Sequence, residues 1–317
     1  MSRQSPLMAP RTLPEPLQPG DRVTVIAPSG ALPFPEAIAA GVEIWRSRGF
    51  EVTIAAGCDR RWGYLAGTDG QRRDQLMAAL GDSRCRAIVC ARGGYGAARL
   101  LEDWDWPLFA GRGSALALGN AIAPKWLVGF SDVTALLWSL AKQGVAGVHG
   151  PLLTTLPEEP EPLRDRLFDL LMGRAIAPLT GEGWGGGAVV GPLLPANLTV
   201  ATHLLQTRSQ PSLEGAILAF EDVTEAPYRI DRLLTQWRST GALGAVAGVA
   251  LGRFSQCDPP RDRPSLTVEE VLRDRLGDLG IPVVSGLPFG HDGPNAALPV
   301  GTLARLDGDQ GILDCLP

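Results

Sequence analysis

The spacing of apolar and polar residues changes repeatedly between two periods in the first half of the chain. Short apolar runs predict strands at RVTVIA (from Arg22), EVTIAA, AIVCA and KWLVG. Apolar residues recur at helical spacing over residues 35–48 and in TDGQRRDQLMAALGD, where Thr68 or Asp69 is the predicted N-cap. Strands that alternate with helices predict a parallel sheet with helices on both faces. The pattern therefore indicates an α/β fold.

The pattern becomes less regular in the second half of the chain. After a predicted helix at LRDRLFDLLMG, the glycine-rich stretch LTGEGWGGGAVVGPLLPAN precedes shorter, more mixed elements, and the tail predicts a hairpin around DGDQG. We therefore expect a loose arm over residues 1–20, an N-terminal α/β domain over 21–175, a glycine-rich linker over 176–190 and a C-terminal domain over 191–317.

Composition and charge argue against several classes of protein, among them nucleic-acid-binding and membrane-spanning proteins. The net charge of −5 and the pI of about 5.3 argue against nucleic acid as a partner, which would need a basic surface. No apolar stretch has the length of a membrane span, and the proline-rich start has no apolar core of a secretory signal. The five cysteines form no CxxC pair and predict small buried side chains rather than disulfides. We expect a cytoplasmic protein that binds neither membrane nor nucleic acid.

A serine and a carboxylate lie where the strand KWLVG turns into the next helix. In parallel sheets this carboxyl edge carries the functional crevice. Ser131 is either an N-cap, with Asp132 complementing the helix dipole, or a nucleophile presented on a sharp strand-to-helix turn. The GxSD pattern matches the GxSxG elbow only in part, so both interpretations stay open at this point.

A serine nucleophile needs a general base, and the chain contains only three histidines. His203 lies within a helical pattern and is expected to pack or to face solvent. His149 lies in a Gly/Pro turn and could line a pocket. His291 lies in the Gly/Pro-rich loop GLPFGHDGPN, from which its ring can reach a distant hydroxyl. His291 is therefore the first candidate and His149 the second.

The base in turn needs a carboxylate that orients its ring. Glu221 and Asp222 follow the apolar strand of AILAFED. Alternation along a strand sends them to opposite faces, so only one of them can face the histidine. The spacing does not choose between them.

The glycine-rich turn RGGYG, Arg92 to Gly96, has a strand before it and a predicted helix, AARLLEDW, after it. Bare amides at such a turn can hold an anion, and the alternative is a turn that merely lets strand and helix pack closely. The turn lacks the GxGxxG and Walker patterns, which argues against a nucleotide. No HExxH or Cys/His cluster is present, so we expect neither a metal nor a cofactor.

Taken together, these segments resemble the LD-carboxypeptidase family of serine peptidases, the muramoyl-tetrapeptide carboxypeptidases. The resemblance runs from VTVIAPSG to GLPFGHDGPNAALPVG, over nearly the whole chain. Its most specific parts occur in the order of the family: ARGGYGAARLL, KWLVGFSDVTALL, HGP, AFEDVTEAPYRIDRLL and GLPFGH. Single motifs of this kind carry little weight, but five in order are specific.

The resemblance implies a catalytic triad of Ser131, His291 and Glu221. It implies an oxyanion hole formed by the backbone N–H groups of Asp132 and Gly94. It also implies a flavodoxin-like N-terminal domain with a parallel sheet, which carries the serine, and a smaller C-terminal α/β domain with a barrel-like sheet, which carries the glutamate and the histidine. The site would lie between the two domains, and a homodimer is usual in the family.

Four further residues are candidates for contact with substrate: Arg92, Tyr95, His149 and Asn197. Arg92 is the candidate partner of a terminal carboxylate. The chain departs from the family at Asn197, where PANL replaces a frequent GGNL, and that change puts the substrate contact of this loop in doubt. The segment AGRGSALALGNAIAP, residues 110–124, looks longer than in the family and could reshape the mouth of the pocket.

The predicted reaction is removal of the terminal D-alanine from a murein tetrapeptide during cell-wall recycling. One alternative keeps the chemistry and changes the substrate: relatives that resemble microcin C immunity proteins cleave aminoacyl–nucleotide amides, for which Trp184 would be the stacking platform. A second alternative is a non-catalytic protein whose glycine-rich turn captures an anion and whose Ser131 is only a cap.

Overall fold

The computed structural model describes residues 12–107, 109 and 121–316, which form two sheets and seven α-helices. The strands are β1 (Arg22–Ile26), β2 (Glu51–Ile54), β3 (Cys85–Cys90), β4 (Trp126–Gly129), β5 (Gly147–His149), β6 (Leu179–Thr180), β7 (Glu182–Gly183), β8 (Ala188–Asn197), β9 (Ile217–Val223), β10 (Gly248–Ser255), β11 (Val283–Ser285), β12 (Leu298–Val300), β13 (Leu303–Asp307) and β14 (Ile312–Cys315). The helices are α1 (Ala39–Ser47), α2 (Asp69–Gly81), α3 (Thr134–Lys142), α4 (Glu161–Leu171), α5 (Leu198–Leu204), α6 (Pro227–Ser239) and α7 (Val268–Leu276).

The first sheet has six strands in the order β12-β5-β4-β3-β1-β2. All of its pairs are parallel except β12 with β5. β3 and β4 are buried along nearly their whole length because helices cover both faces, which is why their sequences are continuous apolar runs. The parallel α/β sheet predicted from the sequence is confirmed.

The second sheet has eight strands in the order β6-β14-β13-β8-β9-β10-β11-β7. The two edge strands, β6 and β7, are separated in the chain by Gly181 alone, so the sheet curves round until its edges meet in a nearly closed barrel. A side chain at Gly181 would place its Cβ 2.1 Å from the carbonyl oxygen of Ser285, which explains the glycine at this corner. The barrel-like second sheet is also as expected.

Helix α3 joins the two sheets through buried hydrogen bonds. The indole N–H of Trp138 donates to the carbonyl oxygen of Pro195 at 2.9 Å, and the backbone N–H of Asn197 donates to Oγ1 of Thr134 at 3.0 Å. One apolar cluster runs through both halves and includes Phe130 and Phe220. The carboxyl end of β4 therefore lies against the carboxyl ends of β8 and β9, where the chemistry-bearing residues are.

The described part of the predicted arm, residues 12–20, packs against the first sheet rather than hanging loose. Leu17 is fully buried and its N–H donates to the carbonyl of Leu171, while Thr12 bridges Val145. Residues 1–11 lie outside the described residues, as do residues 110–120 of the segment before β4.

Two predicted boundaries also differ from the structure. The stretch 176–190, expected as a linker, supplies β6, β7 and the start of β8, because its glycines allow the tight closure of the barrel. The strand β12 comes from the predicted C-terminal domain but pairs with β5 of the first sheet. The division into two domains at these positions stays a prediction.

The predicted helix AARLLEDW is only a short 3₁₀ helix, Ala98–Leu101. Asp103 takes a left-handed φ of 49°, which ends the helical path, and Pro107 follows shortly after. The helices expected over residues 35–48, 68–82 and 163–173 are present as α1 with the 3₁₀ turn before it, α2 and α4. Of the two predicted N-caps of α2, Thr68 is the one observed, and it forms a capping box with Gln71.

Candidate active site

Ser131 lies on a strained turn between β4 and α3. Its φ is 62°, a left-handed value that is uncommon for a residue other than glycine. The hydroxyl makes no capping bond: the N-cap of the 3₁₀ helix Ser131–Val133 is Phe130, and that of α3 is Val133. Ser131 is therefore not the cap that one interpretation of the sequence expected, and the turn presents its side chain above the sheet edge.

The structure brings Ser131, His291 and Glu221 into one hydrogen-bonded chain. Nε2 of His291 lies 3.1 Å from Oγ of Ser131, and Nδ1 lies 2.6 Å from Oε2 of Glu221. The partners assign the tautomer: with Nδ1 protonated and donating to the carboxylate, Nε2 is left to accept the serine proton. This is the geometry of a nucleophile, a base and an orienting acid.

The two adjacent carboxylates at the end of β9 have different partners. Glu221 is fully buried and faces His291. Asp222 points to the opposite face, where it accepts hydrogen bonds from the amide of Asn197 at 2.9 Å and from the hydroxyl and the N–H of Thr199. Alternation along the strand therefore separates them as predicted, and it is Glu221 that contacts the histidine.

Electrostatics at His291 favour its charged form. Burial lowers the pKa of His291, but the hydrogen bond to Glu221 and the charges of Glu221, Asp222 and Asp292 outweigh it, so the pKa lies above the ordinary value of 6.5. Burial raises the pKa of Glu221, and the hydrogen bond with His291 opposes that shift. The pair thus stabilises the imidazolium that would form when the serine loses its proton.

The loop that carries His291 is fixed through its backbone. The backbone carbonyl oxygen of His291 accepts hydrogen bonds from Oγ of Ser255 at 2.5 Å and from Nε of Arg253 at 3.1 Å. Gly290 has a φ of +115°, and a Cβ there would lie 3.0 Å from the Cβ of Glu221. Sequence reasoning missed Arg253 and Ser255, although their place at the carboxyl end of β10 was a usable signal.

The glycine-rich turn lies directly beside the serine. A Cβ at Gly93 would be 3.2 Å from the Cβ of Ser131 and 3.3 Å from its Oγ, so a side chain there would press on the serine. Gly94 is exposed, with a φ of +106°. Its amide, and that of Asp132 in the turn after the serine, belong to the two backbone segments that border the hydroxyl.

Tyr95 and Arg92 extend the site on the same loop. The ring of Tyr95 is half exposed and packs edge-on against Tyr64, with their centroids 5.8 Å apart. Nη1 of Arg92 donates to the carbonyl oxygen of Ala31 at 2.8 Å, and the guanidinium makes no ion pair with a described residue. Tyr95 thus presents an exposed ring on this loop, and the partly buried guanidinium of Arg92 is held to Ala31.

His149 and Asn197 are placed differently from what the sequence indicated. His149 is fully buried between Phe130 and Phe289, and burial, with the nearby charge of His291, lowers its pKa to about 3. Asn197 caps α5 and bonds to Asp222 while almost fully buried. Neither position supports a direct contact with substrate. His203 is exposed on α5, in line with its predicted surface role.

Trp184, the platform considered for a nucleotide base, lies away from the site. Its backbone N–H donates to the carbonyl oxygen of Val283, the first residue of β11. The site, in contrast, lies at the carboxyl ends of the parallel strands. The guanidinium of Arg273 lies over the indole, 4.5 Å from its centroid. The tryptophan is therefore not a platform for a ligand bound at Ser131.

Neither a metal cluster nor a membrane span is found in the part of the chain that the structure describes. Over residues 12–107, 109 and 121–316, no three His, Cys, Asp or Glu side chains are grouped to hold a metal ion. No helix in these ranges has the length and apolarity needed to cross a bilayer. The cysteines of the same ranges are free thiols, four of them buried.

Comparison with known families matches both halves of the chain. Residues 23–150 match the LD-carboxypeptidase N-terminal domain and residues 190–306 match the LD-carboxypeptidase C-terminal domain. The chain is 57% identical over 303 residues to a Synechocystis protein named "Putative carboxypeptidase", covering 96% of this chain and 97% of that protein. It is 31% identical to the murein tetrapeptide carboxypeptidase of Pseudomonas aeruginosa, over 92% of this chain and 95% of the relative.

Solved structures give the same architecture. The muramoyltetrapeptide carboxypeptidase of Oxalobacter formigenes superposes with a TM-score of 0.79 at 29% identity, covering 92% of this chain and 97% of that chain. The microcin C7 self-immunity protein superposes with a TM-score of 0.81 at 22% identity, over 96% of this chain and 98% of the other. At that lower identity the second likeness concerns the fold alone.

Proposed function

Because the chain belongs to the LD-carboxypeptidase family and is a carboxypeptidase, we propose that it removes the terminal D-alanine from murein tetrapeptides, with Ser131 as nucleophile. The bond cleaved joins the L-configured centre of a diamino acid to D-alanine. The observation that carries the proposal is the hydrogen-bonded chain from Ser131 through His291 to Glu221, with separations of 3.1 and 2.6 Å.

The first step is attack of the serine oxygen on the peptide carbonyl. His291 takes the hydroxyl proton on Nε2 as the new carbon–oxygen bond forms. Glu221 accepts the Nδ1 hydrogen bond and stabilises the resulting imidazolium, which is the state that its buried carboxylate favours. The strained φ of Ser131 holds the hydroxyl where this attack can occur.

The tetrahedral intermediate carries a negative charge on the former carbonyl oxygen. The N–H groups of Asp132 and Gly94 form the oxyanion hole, and each donor is worth about 3–4 kcal/mol in comparable sites. The imidazolium then gives its proton to the leaving nitrogen, which departs as D-alanine. Water, activated by the same imidazole, hydrolyses the acyl-enzyme and regenerates Ser131.

The rim of the crevice supplies the contacts with substrate. The guanidinium of Arg92 is the partner that we assign to the terminal carboxylate of the substrate, since it makes no ion pair with a described residue. The exposed face of Tyr95 lies beside it and is suited to packing on the peptide. A homodimeric state, a cytoplasmic location and a role in cell-wall recycling belong to the same proposal.

The test is turnover of L-Ala-γ-D-Glu-meso-diaminopimelate-D-Ala, with released D-alanine measured by mass spectrometry. Wild-type protein should release D-alanine, whereas the same peptide ending in L-alanine should be cleaved far more slowly. Ser131→Ala should lose at least ~10³-fold in kcat and still bind the peptide. A Ser131→Ala protein as active as wild type would contradict the proposal.

An aminoacyl sulfamoyl adenosine is the second substrate in that test. Cleavage of this compound but of no tetrapeptide would assign the site to the chemistry of the immunity proteins. Peptide binding with no turnover of either compound by folded wild-type protein would favour the binding-protein alternative. Trp184, the platform considered for a nucleotide base, is covered by Arg273 and does not favour this second substrate.

A further inference from the structure

The side chain of Asp132, the residue after the serine, points away from the crevice and into the base of the glycine-rich loop. It is 4% exposed, and its Oδ2 accepts the N–H of Ala97 at 2.7 Å. Burial raises the pKa of this carboxyl, while the Ser29 hydroxyl, the N–H groups of Ala97 and Gly96 and the charge of Arg72 oppose that shift. These donors surround one carboxylate, and the mechanism above makes no use of it.

A fully buried arginine supports the same loop from behind. Arg72 of α2 donates from Nη1 to the carbonyl oxygen of Gly96 at 2.8 Å and also to that of Pro28, and from Nη2 to Asp69. A Cβ at Gly96 would lie 2.8 Å from Nη1 of Arg72, so the guanidinium fills the space that a side chain would need. The loop is thus held by the carbonyl oxygen of Gly96 and by the N–H of Ala97.

Asp69 extends this support to the residues that follow the loop. Its carboxylate accepts hydrogen bonds from Nε of Arg99 at 2.9 Å and from Nη2 of Arg99 at 2.6 Å, in addition to the bond from Arg72. Arg99 lies in the 3₁₀ helix Ala98–Leu101 directly after the loop. Two arginines and two carboxylates therefore fix the end of the loop that is remote from the serine.

The other end of the loop is the part that meets the nucleophile. Gly93 packs on the side chain of Ser131, with its missing Cβ position 3.3 Å from Oγ. The carboxylate of Asp132 fixes the position of Ala97 relative to the very turn on which Ser131 is mounted. Asp132 thus links the serine turn to the far end of the loop, while at the near end Gly93 meets the serine and accepts the N–H of Gly30 on its carbonyl oxygen at 3.0 Å.

We propose that the carboxylate of Asp132 is a positioning residue, which fixes the glycine-rich loop to the nucleophile turn so that the amide of Gly94 meets the oxyanion. This role rests on the proposed function, since it concerns the oxyanion hole of that reaction. It acts on the transition state rather than on substrate binding, because the loop's amide bonds strengthen only when the oxygen becomes charged.

Asp132→Asn is the variant that tests the role with the smallest change in shape. The amide keeps one acceptor oxygen for the N–H of Ala97, but it removes the negative charge that faces Arg72 and replaces the other oxygen by an N–H₂ donor. The link between the loop and the nucleophile turn is then weaker, so the loop can shift. We expect kcat to fall about 10- to 100-fold with KM within about threefold of wild type, because misplacement by about 1 Å has this effect on a reacting site.

Asp307→Asn is the matched control. Asp307 is also 4% exposed and accepts the N–H groups of Asp309 at 3.1 Å and Gln310 at 2.9 Å, but it is the last residue of β13 and pairs with Ala188, at the opposite end of β8 from Asn197. It should lose stability without a change in kcat or KM. A tetrahedral peptide boronate should bind Asp132→Asn more weakly than wild type, by the factor lost in kcat/KM. The tripeptide product should bind Asp132→Asn and wild type equally. A merely structural role would not separate these two ligands.

Asp69→Asn keeps the test decisive if Asp132→Asn does not fold. Asp69 is about one-third exposed, so its loss perturbs Arg72 and Arg99 without emptying the core. We expect a two- to fivefold fall in kcat at constant KM. Unchanged kcat and boronate affinity in folded Asp132→Asn would overturn the role, as would unchanged kcat in Asp69→Asn if Asp132→Asn is unfolded.

Labelling of Ser131 by a fluorophosphonate separates this role from the choice of substrate. The reagent forms a tetrahedral phosphorus adduct and needs no murein peptide. A wild-type protein that is labelled but hydrolyses no tetrapeptide would contradict the substrate proposal alone. Labelling of Asp132→Asn slowed at least tenfold would then still support the positioning role, and an unchanged labelling rate would contradict it.

Discussion

The Nε2 atom of His291 lies 3.1 Å from Oγ of Ser131, although 160 residues separate them in the chain. The serine follows β4 of the first sheet, and the histidine follows β11 of the barrel. Helix α3 and the buried contacts of Thr134 and Trp138 with β8 hold these two parts together. The serine and the histidine therefore come from different sheets and meet where those two sheets are joined.

Replacing Glu221 by glutamine should shift the pH profile as well as the rate. The charge and hydrogen bond of Glu221 raise the pKa of His291, and the base must be neutral to take the serine proton. In wild type, kcat/KM should therefore rise with pH through a value above 6.5. In Glu221→Gln this acid limb should move to lower pH, and kcat should fall about 10²- to 10⁴-fold.

The pH dependence of kcat/KM for both proteins measures this shift, with the melting temperature as a control for folding. An acid limb that stays in place would mean that Glu221 does not set the charge state of the base.

Replacing His149 by leucine tests whether this histidine contacts substrate. Both of its ring nitrogens are buried without a hydrogen-bond partner among the described residues, so an apolar side chain of similar size should cost less than about 1.5 kcal/mol. KM and kcat should stay within about threefold of wild type. His203→Leu, on the exposed face of α5, is the control. A tenfold rise in KM for folded His149→Leu would make it a substrate-binding residue.

Replacing Thr134 by valine should weaken the junction between the two sheets. The change keeps the shape of the side chain but leaves the buried N–H of Asn197 without its acceptor, at a cost of about 1–3 kcal/mol in the free energy of unfolding. Urea denaturation measures the loss. Thr53→Val, on the exposed edge strand β2, should change stability by less than about 0.5 kcal/mol. Equal effects of the two changes would contradict the importance of this bond.

Much of the first half of the fold could be predicted because its signals are local. Apolar runs and helical periods lie next to each other, and Thr68 marks the start of α2 with a capping box. The closure of the barrel at Gly181 and the return of β12 to the first sheet depend on contacts between distant segments. No local pattern encodes such contacts, so neither could be predicted from the sequence.

In the candidate site, too, local signals could be predicted and contacts between distant segments could not. The turn at Ser131 and the loop at His291 are visible as strand-end motifs, and alternation along β9 separates Glu221 from Asp222. The burial of His149 arises from Phe130 and Phe289, which come from opposite parts of the chain. Arg72 reads as an ordinary polar residue of a helix, since only the folded loop above it makes it a buried support.

Covalent labelling with a fluorophosphonate, followed by mass spectrometry of the digested protein, shows whether His291 activates Ser131. We expect one adduct per chain, located on Ser131, and labelling at least ~10²-fold slower in folded His291→Ala. An adduct on another residue, or labelling that is as fast without the imidazole, would contradict the claim that His291 activates Ser131.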